Sequence, residues 1–210
     1  WAVVTPWDVA RGEYTRVDLN TKVKTTFRCP TRPTTTDDGG VYESYWASPA
    51  IDDAGQIAMI GEHGWSCWWD EQHGARTGTQ ARGWLVGLPR GVALVTGADV
   101  EVWSGPDELL KRWTAAGRVV DLQASPSGAV LAVRSDRGVQ LLRVDTGEVT
   151  AVQTEATPVS RRAAFLGRLA WSPDSARLAV LSKVEGPLEL TLWDVALEPR
   201  EIGRHDLKDS

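Results

Sequence analysis

Short apolar runs recur along the chain, and those inside it each follow a turn rich in Pro, Gly, Asp or Ser. Four of them begin at Ile57, Val92, Leu131 and Leu178, and a fifth begins at Trp1. Apolar residues stand at consecutive positions in these runs instead of alternating with polar ones, which is typical of strands covered on both faces. The sequence therefore predicts five buried strands, one in each of five repeats.

The segments around the runs repeat as well. "SPSGAVLAVRS" at 125–135 and "SPDSARLAVLS" at 172–182 share one skeleton, and "LLRVDTGEVTAV" at 141–152 indicates a strand, a tight turn and a second strand. Each unit thus predicts four short antiparallel strands, A to D, in which A precedes the Ser-Pro turn and B is the apolar run. "DELLKRWTAA" at 107–116 has helical spacing, but its place in the repeat predicts an outer strand.

The units are expected at approximately 1–35, 40–80, 82–116, 117–156 and 163–210. A four-stranded sheet with two apolar faces needs neighbours to cover it, so the units must stack. The first unit lacks strand A, because the chain enters it at strand B. We expect either a closed ring of five units with an imperfect seam or, preferably, a piece of a larger ring.

Four motifs carry a resemblance to a known fold family. They are "AWSPDSARLAVL", "ASPSGAVLAVRS" and the Trp-Asp pairs Trp69-Asp70 and Trp193-Asp194. With them the chain resembles degenerate β-propellers of the WD-repeat and TolB-like types. The resemblance implies an all-β fold over residues 1–210, built from blade-like four-stranded sheets, and implies little about function.

Composition narrows the possible partners. Hydrophobic residues make up 42% of the chain, charged residues 24%, and the formal net charge is −5. Nucleic-acid binding requires a basic face, which the sequence does not offer. No apolar run approaches the roughly 18 residues of a spanning helix. We expect no nucleic-acid partner, no membrane span in this segment and no cofactor.

Two cysteines, Cys29 and Cys67, lie at comparable places in successive repeats. They are either two buried thiols or one disulfide, and the sequence leaves both open. A disulfide would place the protein outside the reducing cytosol. A periplasmic or secreted location is slightly favoured over a cytoplasmic one.

Antiparallel strands fix which connections share an end of each sheet. The A–B and C–D turns share what we call the short-turn end, and the B–C and D–A connections share the long-loop end. The expected long loops are 5–13, 28–41, 74–81 and 153–166. Loops on a rigid scaffold carry function, so the long-loop end is the predicted binding face.

The densest stretch of reactive side chains is "EHGWSCWWDEQHGAR" at 62–76. The candidate partner-binding residues are Trp65, Asp70, His73, Arg76, Asp37 and Asp38. A metal site would combine His63 and Cys67 with Asp70 and His73. On a strand residues 63 and 67 lie about 13 Å apart, too far for one metal ion. We therefore expect no metal.

Catalytic patterns are weak in this sequence. Three His are present, without a motif that pairs one with a nucleophile. Neighbouring carboxylates on a strand point to opposite faces, so adjacent acid pairs form no glycosidase dyad. The sequence predicts a non-catalytic scaffold or sensor module that binds another protein or another domain of its own polypeptide. The alternatives are a carbohydrate- or small-ligand-binding propeller with exposed Trp and, less favoured, a glycoside hydrolase.

Overall fold

The described part of the chain is built from β-strands. The computed structural model describes residues 2–4, 13–29, 33–35, 41–43, 46–61, 65–80, 83–154, 168–182 and 188–207. Within these ranges every regular element is a strand. They include no helix long and apolar enough to cross a membrane.

The strands form five sheets and one separate hairpin. Sheet 1 contains β1 (Ala2–Val4), β2 (Glu13–Val17) and β3 (Lys24–Arg28), and the hairpin contains β4 (Pro33–Thr35) and β5 (Val41–Glu43). Sheet 2 contains β6 (Trp46–Ile51), β7 (Ile57–Gly61), β8 (Trp65–Asp70) and β9 (Gly74–Gln80). Sheet 3 contains β10 (Trp84–Gly87), β11 (Val92–Thr96), β12 (Asp99–Gly105) and β13 (Glu108–Thr114).

The last two sheets have the same order of strands. Sheet 4 contains β14 (Val119–Ala124), β15 (Val130–Ser135), β16 (Gly138–Arg143) and β17 (Val149–Thr154). Sheet 5 contains β18 (Arg168–Trp171), β19 (Arg177–Ser182), β20 (Leu188–Asp194) and β21 (Arg200–Leu207). In every sheet the strands follow one another in chain order, and each pair with a described register is antiparallel.

The apolar runs occupy equivalent places, as predicted. They form the second strands β7, β11, β15 and β19 of the four-stranded sheets. β1 pairs with β2 in the same way, and sheet 1 has only three strands among the described residues. The predicted all-β class is therefore confirmed, and within the described ranges no strand A pairs with β1. The outer strand predicted at 107–116 is also confirmed, because β13 spans Glu108–Thr114.

Two expectations about loops are wrong. Residues 74–81 were expected to be a loop, but β9 spans Gly74–Gln80 and pairs with β8. Residues 28–41 were expected to be one long loop, but β4 lies inside this range and pairs with β5 as a hairpin. Both segments are rich in Thr or Gly and carry few apolar residues, so backbone pairing forms strands that the hydrophobic pattern does not indicate.

The first strand of sheet 2 also differs from the expectation. The sequence places strand A at 42–49, whereas β6 begins at Trp46 and continues through Pro49 to Ile51, and Tyr42 belongs to β5. Its register with β7 shifts between Ala47 and Ala50. Pro49 has no N–H to donate, and such residues are tolerated in a strand at an irregularity of this kind.

Two compact units are present, Trp1–Thr96 with Glu101–Leu110, and Gly97–Val100 with Lys111–Ser210. In the first unit, the strand β7 is covered on both faces. Ile57 and Met59 pack in a core with residues of sheet 1, and Ala58 and Ile60 pack against residues of sheet 3. Burying one such large apolar side chain contributes about 1.5–3 kcal/mol. Alternate residues of the apolar run therefore pack against the two different neighbouring sheets.

The core between sheets 1 and 2 contains stacked aromatic rings and a disulfide. The ring of Phe27 lies 5.7 Å from that of Tyr14 and 4.8 Å from that of Trp69. Cys29 and Cys67, both fully buried, form a disulfide with Cα atoms 6.0 Å apart. Of the two readings that the sequence leaves open, the structure has the disulfide. The bond joins the three-stranded sheet covalently to its neighbour.

Sheets 2 and 3 approach each other closely at their first strands. A Cβ atom added to Gly87 would lie 2.3 Å from the carbonyl oxygen of Ile51. Next to this contact, the buried Asp52 accepts a 3.1 Å hydrogen bond at Oδ2 from the N–H of Gly91. A residue without a side chain is therefore required at position 87.

In the second unit, sheets 4 and 5 share one apolar core. Ala132, Val139 and Leu141 of sheet 4 pack with Leu178 and Val180 of sheet 5. Polar groups also join the two sheets: Leu169 N–H donates to Asp121 Oδ2 at 3.1 Å, Trp171 Nε1 to the Gln123 carbonyl at 3.1 Å, and Arg134 Nη1 to the Leu181 carbonyl at 2.6 Å.

We expect the double substitution Cys29→Ala/Cys67→Ala to lower the free energy of unfolding by about 2–4 kcal/mol, because the cross-link restricts the unfolded chain. Urea unfolding of the oxidised wild type and the variant measures the difference. Alkylation of the denatured chain with and without reductant shows whether the thiols are free. Labelling of both cysteines without reductant would contradict the disulfide.

We expect Gly87→Ala to destabilise the fold by about 1–3 kcal/mol, since the methyl group meets backbone that must shift. Gly105→Ala is the matched control, because a Cβ atom there has no neighbour within 4 Å. Urea unfolding of both variants gives the comparison. Equal stability of the two variants would show that the sheets do not approach as described.

Candidate functional site

Asp70 organises the turn between β8 and β9. Its Oδ1 accepts hydrogen bonds from the N–H groups of Gln72 at 2.9 Å and His73 at 2.7 Å. The His73 ring lies with Nδ1 2.9 Å from the same oxygen, and the Arg76 guanidinium donates to Oδ2 at 2.6 Å. Three of the candidate residues, Asp70, His73 and Arg76, are therefore brought together in one network.

The network favours the ionised form of Asp70. Burial raises the pKa of this carboxyl group, but hydrogen bonds from the His73 backbone and ring and the positive charges of His73 and Arg76 outweigh that effect. The result is a pKa below the usual value for aspartate. The carboxylate oxygens of Asp70 are thus engaged within the turn. The half-exposed imidazole ring of His73 is the part of the network that faces solvent.

A buried arginine beside this turn was not among the sequence-based candidates. Arg16 of β2 forms an ion pair with Glu71, its guanidinium lies 4.8 Å from the centre of the Trp69 ring, and its Nη1 donates to the Gly55 carbonyl at 3.2 Å. The sequence carried one signal for it: "RVD" occurs at 16–18 and again at 143–145, at the end of β2 and of β16.

Comparisons with known proteins show a shared fold. No protein-family profile matches the sequence, and no curated protein matches it. Similar solved structures include one of the mitotic checkpoint complex, with a TM-score of 0.60 at 14% identity. Hydrazine synthase of Kuenenia stuttgartiensis follows with 0.56 at 13%, and the β-propeller domain of Cps50 (Swd1) of Myceliophteria thermophila with 0.55 at 12%.

The chain has the β-propeller fold. The three similarities cover 93%, 94% and 94% of this chain. They cover only 58%, 61% and 66% of the chains compared, so this chain spans about three-fifths of their length. One of the three is an enzyme, hydrazine synthase, so the fold alone does not decide between binding and catalysis.

The predicted site residues do not share one end of their propeller blade. Asp70, His73 and Arg76 lie at the C–D turn of sheet 2, which belongs to the short-turn end. Trp65 begins β8 at the other end of the same strand, next to residues 62–64. Asp37 and Asp38 lie outside the described residues. The sequence therefore joined in one candidate set residues that the blade separates.

The tryptophans with described side chains serve the packing of the blades. Trp68 and Trp69 are buried, and Trp84, Trp103, Trp113, Trp171 and Trp193 are half-buried. Four indole N–H groups donate within the protein: Trp103 to Glu101, Trp113 to the Gly147 carbonyl, Trp171 to the Gln123 carbonyl and Trp193 to Thr191. These side chains form no exposed row of the kind that sugar stacking requires.

The side chains that the sequence offers as metal ligands do not form a metal site in the described structure. Cys67 is bonded to Cys29, so its sulfur is not a thiolate ligand. His63 lies outside the described residues. Among the residues that are described, no group of three or more His, Cys, Asp or Glu side chains could hold a metal ion.

We expect Asp70→Asn to lower stability at pH 7 by about 1–2 kcal/mol, through loss of the charge-assisted hydrogen bonds. A carboxyl group with a lowered folded-state pKa stabilises the protein above its unfolded-state pKa, and that stabilisation is lost as pH falls through the folded-state value. The difference between wild type and variant should therefore shrink below about pH 4. Urea unfolding at pH 7 and pH 3 checks this; a difference independent of pH would contradict it.

Proposed function

We propose that this β-propeller is a non-catalytic interaction module that binds another protein, or another domain of its own polypeptide, through the long-loop end of its blades. In this role it acts as a scaffold or sensor. The three fold relatives do not decide the role, so the proposal depends on features of this chain.

The observation that carries the proposal is an asymmetry between the two ends of the blades. At the short-turn end the chain closes through its own backbone hydrogen bonds, such as Gly55 N–H to the Asp52 carbonyl at 3.0 Å and Gly128 N–H to the Ser125 carbonyl at 2.7 Å. At the long-loop end, three connections are longer than any at the short-turn end: residues 5–12, residues 29–45 with the β4–β5 hairpin, and residues 155–167. Other connections at this end, such as 97–98 and 136–137, are short.

The disulfide supports the largest of these connections. Cys29 is the first residue after β3, where the stretch 29–45 with its hairpin begins, and it is bonded to Cys67 in β8. Trp65 begins the same strand two residues before Cys67. The base of the 29–45 stretch is thus fixed covalently to a buried strand, which suits the display of a binding loop on a rigid scaffold.

Other features favour binding over catalysis. The described Trp side chains pack between strands, and the carboxylate of Asp70 is engaged by residues of its own turn. A disulfide is typical of proteins that leave the reducing cytosol. We therefore extend the proposal to a module that works in the periplasm or outside the cell.

Replacing residues 155–167 with a Gly-Ser linker as long as 115–118, the connection between β13 and β14, tests the binding face. We expect the replacement to reduce recovery of the partner about tenfold, because the contact surface is removed while the blades remain. The measurement is cross-linking of the purified chain in an extract of its source cells, followed by quantitative mass spectrometry.

Gln72→Ala, an exposed change at the short-turn end, is the control and should leave recovery unchanged. Circular dichroism establishes that both variants are folded. Recovery that survives the linker replacement but falls with Gln72→Ala would place the partner at the opposite end and overturn the proposed face.

A further inference from the structure

An open groove of about 360 Å³ lies between sheets 4 and 5 at the short-turn end. We call it the sheet 4–5 groove. Leu141, Thr150 and Ala151 line it on the side of sheet 4, and Val195, Leu197 and Pro199 line it on the side of sheet 5. It is distinct from the long-loop end, so it does not depend on the function proposed above.

The chain itself shows what kind of side chain fits such a place. The motif "RVD" aligns β2 and β16, so Tyr14 corresponds to Leu141. Phe27 pairs across the sheet with Tyr14, and Thr150 pairs with Leu141. Position 150 in sheet 4 is therefore equivalent to position 27 in sheet 1.

The two equivalent positions are filled differently. The Phe27 ring is only 5% exposed and stacks 4.8 Å from Trp69, closing the space between sheets 1 and 2. Thr150 carries no ring, and the space beside it is the open groove. An aromatic ring supplied by another molecule would occupy the place that Phe27 occupies between the first two sheets.

The wall of the groove has the features of a contact surface. Leu197, in the turn from β20 to β21, is 85% exposed, which is unusual for a large apolar side chain. The guanidinium of Arg143 holds this turn, since Nη2 lies 3.5 Å from the Leu197 carbonyl oxygen and Nε lies 3.5 Å from Glu148. The exposed leucine is thus presented on an anchored turn.

A second depression, of about 730 Å³, is lined by residues of the same turn and by Asp194 and Arg200 beside it. It shares Leu197, Glu198 and Pro199 with the sheet 4–5 groove, so an extended chain can pass over the turn from one to the other. Glu148 offsets the charge of Arg143, and Asp194 offsets that of Arg200 in an ion pair of 3.7 Å. Glu198 adds one further negative charge where the two depressions meet. A cationic residue in the bound segment would complement Glu198.

We propose that the sheet 4–5 groove binds a short extended segment of a partner protein, with an aromatic side chain as its anchor and a Lys or Arg beside it. The aromatic ring inserts next to Thr150 and Leu141, and the cation lies against Glu198. The internal precedent of Phe27, the exposed Leu197 and the negative charge of Glu198 all favour this occupant.

The test uses short random peptides displayed on phage, selected on the immobilised full chain and counter-selected on Thr150→Phe. This substitution fills the groove as Phe27 fills the equivalent place. Val149→Phe is the matched control, because Val149 is the next residue of the strand, points to the opposite face and is 45% exposed. Enriched peptides are then synthesised, and their dissociation constants are measured by calorimetry.

We expect the enriched peptides to share an aromatic residue next to Lys or Arg. Thr150→Phe should weaken their binding at least about tenfold, and Val149→Phe by less than about twofold, because only the first change occupies the groove. Glu198→Lys should weaken binding about threefold to tenfold through charge repulsion.

Several outcomes would overturn the proposal. They are a selection that enriches no peptide, enriched peptides that bind Thr150→Phe as tightly as the wild type, and peptides with no aromatic residue. Should Thr150→Phe fail to fold, Leu197→Asp serves instead, since its side chain is exposed. Concentration-dependent dimerisation of the wild type that Thr150→Phe abolishes would show that a second copy occupies the groove, and would also overturn it.

Discussion

Packing in the first unit depends on the coverage of β7, the second strand of sheet 2, on both of its faces. In β7, Ile57 and Met59 contact the core shared with sheet 1, while Ala58 and Ile60 contact residues of sheet 3. A strand buried on both faces gains stability only when both neighbours are present, so one blade cannot form a stable domain by itself. At Gly87 of sheet 3 the backbone lies so close to Ile51 of sheet 2 that a Cβ atom would not fit.

The hydrophobic pattern explains which elements the sequence could predict. Runs of consecutive apolar residues are visible in the sequence, so β7, β11, β15 and β19 could be predicted, although only alternate residues of β19 are buried. β9 is not visible, because "GARTGTQ" has almost no apolar residue and is held by backbone pairing with β8. The predicted end of β6 comes two residues too early, because Pro49 normally marks a turn and here lies at a shift of register.

The candidate site was harder to predict, since proximity in sequence does not give proximity on a strand. Trp65 and Asp70 begin and end β8, and a strand of that length separates their backbones by about 17 Å. The sequence therefore placed in one candidate group residues that lie at opposite ends of one strand. Arg16 shows the converse: it meets Glu71 and Trp69 only through the packing of two sheets, and a single sequence carries no direct signal of that contact.

Equivalent positions in sheets 1 and 4 carry different side chains, and the differences show where packing is closed and where it is open. The arginines of the two "RVD" motifs, Arg16 and Arg143, both hold the turn of the following sheet. The space beside them is closed by Phe27 and the disulfide in one case and left open beside Thr150 in the other. In sheet 1, which has three strands among the described residues, the aromatic ring and the disulfide join the sheet to sheet 2. Sheets 4 and 5 are complete and share a broad apolar core, and this core leaves position 150 free to differ. Divergence at a position that packing does not constrain is where a propeller can acquire a surface for another molecule.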